Sequence, residues 1–130
     1  MKKCNLCLTK KPLQSFYKKY SGRHGVEAVC KQCHAVLQRA FHLKQKYGFG
    51  PTTYSDLLAK QHGVCLICLE APRPGKVLHV DHRHSCCPGK RSCGQCIRGL
   101  ICGPCNHAIG NLRDNPTFAR ALASYLEASP

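Results

Sequence analysis

Residues 97–106 read Ile-Arg-Gly-Leu-Ile-Cys-Gly-Pro-Cys-Asn, and this stretch decides the fold. Its apolar beginning, residues 97–101, predicts a strand, and the Cys-Gly-Pro-Cys turn leads into a helix that we expect to begin with Asn106. Upstream, residues 76–82 (Lys-Val-Leu-His-Val-Asp-His) alternate in polarity and predict the partner strand. The order strand, connection, strand, helix predicts a ββα unit in an α+β chain.

Twelve cysteines in 130 residues fall into three groups of four. The first two groups each consist of two C-x2-C pairs, separated by 22 residues in one group and 33 in the other. Each pair supplies two ligands from one tight turn, and two pairs close a tetrahedron, so the spacing predicts structural Zn²⁺ sites in a small zinc-stabilised fold. The predicted ligands are Cys4, Cys7, Cys30 and Cys33 in the first site, and Cys65, Cys68, Cys102 and Cys105 in the second.

The formal net charge is +14, from 20 lysines and arginines against six acidic residues. Each Zn²⁺ bound by four thiolates carries −2, so two sites would lower the net charge to about +10 and three to about +8. A chain this basic predicts a polyanionic partner, with nucleic acid first. The alternative is a generally soluble basic protein.

Compartment and membrane character also follow from the sequence. Residues 1–5 have no apolar stretch after their charges, and the chain has no run of 18 apolar residues, so we expect neither a signal peptide nor a membrane span. A cytoplasmic protein is therefore expected, in which paired cysteines bind metal more often than each other.

Pattern breaks divide the chain into four predicted segments. Residues 1–34 form an N-terminal zinc module, and residues 35–50 a basic linker, with a helix predicted over 34–47. Residues 51–114 contain the ββα unit and are predicted to form one domain, with a helix that starts near Thr53. Residues 115–130 form a last helix. The predicted features of that last helix are an Asn115 cap, Pro116 at the first helical position, and an apolar stripe of Phe118, Leu122, Tyr125 and Leu126, which indicates core or a homodimer contact.

Three polar residues around the ββα unit suit phosphodiester hydrolysis, which needs a metal ion and a base for water. Mg²⁺ prefers oxygen ligands, and Asp81 offers a carboxylate from the strand side while Asn106 offers an amide oxygen from the helix start. His82 can take a proton near neutral pH and is the candidate general base. The sequence therefore predicts a catalytic site for Mg²⁺ or Mn²⁺.

The histidine-rich stretch His-Val-Asp-His-Arg-His at residues 79–84, the Arg-Gly-Leu-Ile-Cys-x-x-Cys-Asn stretch at 98–106, and Ile109-Gly110 together resemble the phage recombination endonuclease VII family. That family belongs to the HNH or His-Me finger superfamily, and the resemblance covers about residues 48–114. It implies a ββα-metal, treble-clef-like core, with Asp81 and Asn106 as metal ligands and His82 as base. It also implies duplex or branched DNA as substrate and, for a phage-encoded protein, the cytoplasm of a bacterial host.

Three further residues have roles that the sequence leaves open. His79 and His84 correspond to the family's outer histidines and are expected to orient the phosphate, stabilise charge or add a metal contact; for His79 the alternative is a structural strand residue. Arg98 lies between strand and knuckle and is interpreted as a phosphate clamp, with a solvated strand charge as the alternative.

The chain departs from the resemblance in one connection, which is usually a short turn. Here residues 85–96 form a longer loop that contains the basic Lys90 and Arg91 and the third cysteine group, Cys86, Cys87, Cys93 and Cys96. A third Zn²⁺ is one interpretation of this loop. The others are a ligand set in which His84 replaces a cysteine, and a labile disulfide.

Two function classes compete. A metal-dependent DNA endonuclease, with a phage role in recombination, replication or packaging, accounts for the metal and base residues together. A non-catalytic zinc-finger DNA-binding module would need the cysteines and the basic charge, but not the combination of Asp81, His82 and Asn106. A structural adaptor on a phage assembly is a third, weaker interpretation.

Overall fold

A computed structural model describes residues 1–128 and divides the chain into two compact units, Met1–Gln45 and a second unit that begins at Lys46. The α+β prediction is confirmed: over these residues, short strands pair in two-stranded antiparallel sheets and four α-helices are present. The segment limits 34/35, 50/51 and 114/115 stay predictions, and residues 129–130 of the last segment lie outside the described part. Within residues 1–128, every helix is too short or too polar to cross a membrane.

The first unit contains one cysteine knuckle and has a very small core. Its elements are β1 Lys2–Lys3, β2 Lys10–Lys11, β3 Phe16–Lys18, β4 Val26–Cys30 and all but the last two residues of α1 Lys31–Tyr47. Phe16 and Val26 are buried together with Cys4 and Cys30. Helix α1 begins three residues before the predicted position, because the second cysteine pair lies at the junction of β4 and the first helical turn.

The second unit contains the predicted ββα order. Its elements are α2 Thr53–Lys60, β5 His79–His82, β6 Ile97–Ile101, α3 Gly103–Asn111 and α4 Pro116–Glu127. β6 has the predicted limits, whereas the prediction of a strand over 76–82 is wrong for its first three residues. His79 pairs with Ile101, and the chain then turns into α3, so residues 76–78 have no partner strand. Helix α3 begins at Gly103, before the predicted Asn106, because Cys105 belongs to its first turn.

A buried glutamine fixes β6. The side chain of Gln61 donates from Nε2 to Leu100 O at 2.8 Å and accepts from Leu100 N at Oε1, also at 2.8 Å. The preceding residue, Gly99, has a φ of 151°, and a Cβ there would come within 2.3 Å of Leu66 Cδ1. Because L side chains rarely adopt such a φ, the backbone conformation favours glycine in the Arg-Gly-Leu motif.

Helix α4 begins as predicted but does not pack as predicted. Asn115 Oδ1 accepts hydrogen bonds from the backbone N–H groups of Thr117 and Phe118, which confirms the cap. The four residues of the apolar stripe are 44–72% exposed, so the interpretation of that stripe as core is wrong. The homodimer contact stays a prediction.

Candidate active site and metal centres

The first two cysteine clusters are built on the same local backbone. In the first unit, the N–H of Leu8 donates to Cys4 O at 2.9 Å, and in the second the N–H of Leu69 donates to Cys65 O at 3.0 Å. Leu8 and Leu69 have φ values of 57° and 61°, an uncommon conformation for non-glycine residues that closes the knuckle in both units. In each unit a two-stranded sheet follows, and the second cysteine pair lies at the start of a helix.

In each of the three predicted cysteine clusters, the four Sγ atoms lie within 4.8 Å of one another. A tetrahedral Zn²⁺ with Zn–S bonds of about 2.3 Å requires S–S separations of about 3.8 Å. The Sγ atoms of Cys68 and Cys102 are 3.8 Å apart, as are those of Cys86 and Cys93. The donor type and the spacing therefore fit Zn²⁺, and the three clusters can bind it.

The sulfurs within a cluster ionise unequally. Burial acts to raise the pKa of Cys65, but backbone N–H donors, first that of Cys102, outweigh it and lower the pKa to about 6. Burial, followed by the neighbouring sulfurs, raises the pKa of Cys105 to about 12. Four adjacent sulfurs therefore do not all become thiolates at neutral pH unless a cation compensates them, and Zn²⁺ is such a cation.

The third cluster lies in the 85–96 loop and is more exposed than the other two. Each of the first two clusters contains at least one fully buried cysteine, whereas Cys86 and Cys93 are exposed and their two companions half-buried. Within residues 1–128, no disulfide joins any of the twelve cysteines, and the Sγ atoms of Cys86 and Cys87 are 3.9 Å apart, far from a disulfide bond of about 2.05 Å. The structure favours the set of four sulfurs over a set that includes His84.

A cleft of about 950 Å³ opens where β5 meets α3. Five of the six predicted catalytic residues line it, since strand, loop and helix start converge there: His79, Asp81, His82, His84 and Asn106. Asp81 and His82 are buried at 6% and 7% exposure, whereas Asn106 is exposed at the first turn of α3. The cleft therefore combines a shielded carboxylate and imidazole with an accessible amide.

Arg98, the sixth predicted residue, lies behind the carboxylate. Its Nε and Nη2 donate to Asp81 at 2.6 and 3.1 Å, and Nη2 also reaches Asp114 Oδ1 at 2.7 Å. The hydrogen bond with Asp81, and then that with Asp114, raises the pKa of Arg98 above its usual range. The solvated-charge alternative is wrong, because two carboxylates hold the guanidinium; the phosphate-clamp role stays a prediction.

The imidazole of His82 is held through one nitrogen. Its Nε2 lies 3.0 Å from Cys87 O and 3.2 Å from Gly89 O. Carbonyl oxygens only accept hydrogen bonds, so Nε2 must carry the proton and Nδ1 the lone pair in the neutral ring. The rings of His82 and His84 are 4.6 Å apart between centroids, which places the predicted outer histidine beside the predicted base.

Two residues that line this cleft, Asp114 and Tyr47, were not predicted as site residues from the sequence. Asp114 lines the cleft and completes the ion pairs of Arg98, from a turn in which Arg113 and Asp114 have φ values of 53° and 55°. Tyr47 also lines the cleft, with its ring centroid 6.3 Å from that of His82. Asp114 follows helix α3 without any motif of its own. Tyr47 belongs to the apolar pattern of α1 and, with Gly48, to the stretch that resembles the family, but neither signal indicates a place in the cleft.

The chain is similar to one protein family and to a solved structure. The model of the recombination endonuclease VII family matches residues 40–128. Among solved structures, the ββα-Me type II restriction endonuclease Hpy99I is similar, with 20% sequence identity and a TM-score of 0.35. The alignment covers 96% of this chain and 64% of that chain, so this chain spans less than two thirds of its length. A comparison with curated proteins gave no match.

Proposed function

This chain belongs to the recombination endonuclease VII family, and from that premise we propose that it is a metal-dependent DNA endonuclease that hydrolyses phosphodiester bonds. The observation that carries the proposal is the convergence of Asp81, His82 and Asn106 on one cleft. A binding module has no need of a buried carboxylate and a buried imidazole beside an amide oxygen. The biological role that we favour is phage recombination, replication or packaging.

Asp81 and Asn106 would hold the divalent ion, Mg²⁺ or Mn²⁺. Their carboxylate and amide oxygens are the donor types that these ions prefer. When bound, the ion stabilises negative charge on the scissile phosphate. Each carboxylate oxygen has two lone-pair positions, so the hydrogen bonds from Arg98 leave Asp81 with free acceptor capacity.

His82 would act as the general base through Nδ1. The carbonyl oxygens of Cys87 and Gly89 occupy the opposite nitrogen, so the tautomer with an available lone pair on Nδ1 is favoured. Arg98, itself held by Asp114, would fix the Asp81 carboxylate in one rotamer. The exposed His79 and His84 would contact the phosphate from the rim of the cleft.

Supercoiled plasmid tests this proposal directly. The full chain, with its structural zinc, is incubated with the plasmid and Mg²⁺ or Mn²⁺, and nicked and linear products are quantified. We expect cleavage that needs the added ion, and loss of cleavage in Asp81→Ala with an unchanged zinc content. In Asn106→Ala, the ion concentration for half-maximal cleavage should rise at least about tenfold, whereas Asn106→Asp, which keeps an oxygen ligand, should restore part of the loss.

A protein that binds the plasmid tightly but leaves it intact with every divalent ion would contradict the proposal. The zinc-finger binding module would then be the better interpretation. The zinc content of each variant must be measured in parallel, because a loss of fold would also abolish cleavage.

A further inference from the structure

The 85–96 loop touches the proposed base directly, and this contact suggests a role for the third cysteine cluster. Cys87 connects the cluster to His82. Its Sγ is one of the four clustered sulfurs, and its carbonyl oxygen lies 3.0 Å from His82 Nε2. Gly89 supplies the second carbonyl, at 3.2 Å. The loop is therefore the element that sets which imidazole nitrogen faces the cleft.

The loop cannot hold this shape by hydrophobic burial. Residues 85–96 (Ser-Cys-Cys-Pro-Gly-Lys-Arg-Ser-Cys-Gly-Gln-Cys) contain no large apolar side chain. Its backbone is tied at its ends, where Arg83 N donates to Cys96 O at 2.9 Å and Cys87 N donates to Arg83 O at 3.1 Å. Between these ties, Ser92 N donates to Lys46 O at 2.8 Å, and the four sulfurs lie at the centre of the loop, where Cys87 Sγ accepts from Cys93 N at 3.3 Å.

A metal ion is the group that this arrangement fits. The S–S separations of 3.8 Å between Cys86 and Cys93 and 4.0 Å between Cys93 and Cys96 match the edges of a zinc tetrathiolate, about 3.8 Å. Without a cation, four exposed or half-buried sulfurs have no apolar surroundings that would keep them together. Binding of a metal there would order the loop and, with it, both carbonyl oxygens.

We infer that a Zn²⁺ on Cys86, Cys87, Cys93 and Cys96 positions the proposed general base, because it fixes the carbonyl oxygens of Cys87 and Gly89 that hold His82 in the Nε2–H tautomer. Cys87 and Gly89 are thus positioning residues. The inference rests on the proposed function only for the consequence for cleavage. Occupancy of the site and the tautomer of His82 can be measured without any substrate.

The test compares two variants of the full chain that should each lose one zinc. Cys86→Ser combined with Cys93→Ser removes two exposed sulfurs from the loop cluster, and Cys7→Ser removes an exposed sulfur from the cluster of the first unit. The readouts are zinc per chain by elemental analysis, the tautomer of His82 by long-range ¹H–¹⁵N spectra of the imidazole, and single-turnover cleavage at saturating DNA. His82→Ala spectra assign the resonance.

We expect three zinc ions per chain in the wild type and about two in each variant. The loop variant should show mixed tautomers of His82 and slower cleavage by about 10–10²-fold, the scale of a misplaced catalytic group. The Cys7→Ser variant should keep the Nε2–H tautomer and cleave within about threefold of the wild type at saturating DNA. Cys93→His, which keeps a metal ligand, should retain the third zinc and the wild-type tautomer.

Two wild-type zinc ions, or a loop variant that loses its zinc while the His82 tautomer and the cleavage rate are unchanged, would overturn the inference. A loop variant that loses two zinc ions has unfolded. The Cys93→His variant then tests the inference through its zinc content and the tautomer of His82. Wild-type cleavage by His82→Ala would instead overturn the proposed function, while the zinc and tautomer measurements would still test the positioning of the ring.

Discussion

The two units share a local architecture and differ in the side chains at equivalent positions. In both, a knuckle closed by a leucine at positive φ precedes a two-stranded sheet, and a second cysteine pair begins a helix. Where β5 carries Asp81 and His82, β3 and the residue after it carry Tyr17, Lys18 and Lys19. The position after the last cysteine is Asn106 in the second unit and His34 in the first. The first unit therefore has the scaffold without the carboxylate and amide oxygens of Asp81 and Asn106.

The two units also differ in net charge. Residues 1–45 contain ten of the 20 lysines and arginines and one of the six acidic residues, which gives +9 of the total +14. With one zinc tetrathiolate in the first unit and two in the second, the net charges become about +7 and about +1. Glu27, the acidic residue of the first unit, is paired with Lys19 at 3.6 Å. The first unit is therefore strongly basic, whereas the second unit, which contains the cleft, is close to neutral.

The largest effect is expected when a zinc-ligand cysteine is replaced, because this should unfold the unit that contains it. A structural Zn²⁺ contributes about 10–16 kcal/mol of apparent binding free energy, so Cys65→Ser should unfold the second unit and abolish cleavage. Cys4→Ser should unfold the first unit while leaving the second folded and able to cleave. Zinc content, thermal unfolding and plasmid cleavage measure this. If both variants lose the second unit equally, the two units do not fold independently.

Chemistry should be confined to the second unit. His82→Ala is expected to slow single-turnover cleavage by roughly 10²–10⁴-fold, the usual range for a lost general base, with DNA affinity within a few fold of the wild type. Its residual rate should rise with pH, because hydroxide replaces the missing base. Cleavage at the wild-type rate would show that the base has been misassigned.

Binding should depend most on the first unit. Lys3, Lys10 and Lys18 are exposed, and Lys3 faces Lys10 across β1 and β2, so Gln substitutions there relieve repulsion and should not destabilise the fold. If each contacts a phosphate, the triple variant should weaken duplex binding by about 10–10²-fold and reduce the slope of log affinity against log salt by up to about 2.7. Cleavage at saturating DNA should be unchanged. A titration at several salt concentrations checks this, and an unchanged slope would place the contacts elsewhere.

The smallest effect is expected for the two basic side chains of the 85–96 loop, Lys90 and Arg91. Changing Lys90 and Arg91 together to alanine should raise the apparent KM by roughly tenfold or less and leave the single-turnover rate at saturation nearly intact, because neither side chain suits proton transfer. A loss in the chemical step as large as that of His82→Ala would mean that the loop charges act in the reaction itself.

Much of the fold and of the site could be predicted from local patterns. The C-x2-C spacing, the limits of β6 and the Asn115 cap depend on residues close in sequence, and each agrees with the structure. The cleft residues Asp81, His82 and Asn106 could be recognised because their types and order suit one chemistry. Strand β5 was predicted too long because its length depends on where its partner ends.

The sequence by itself determined the α+β class and the three cysteine clusters, because cysteine pairs and helix caps are set by residue types at fixed local spacing. Only the tertiary structure decided that Arg98 bridges Asp81 and Asp114, that two loop carbonyls hold His82, and that the stripe on α4 is exposed. These contacts join residues whose distance depends on how the chain folds back, and backbone carbonyls, which every residue carries, leave no mark in the sequence.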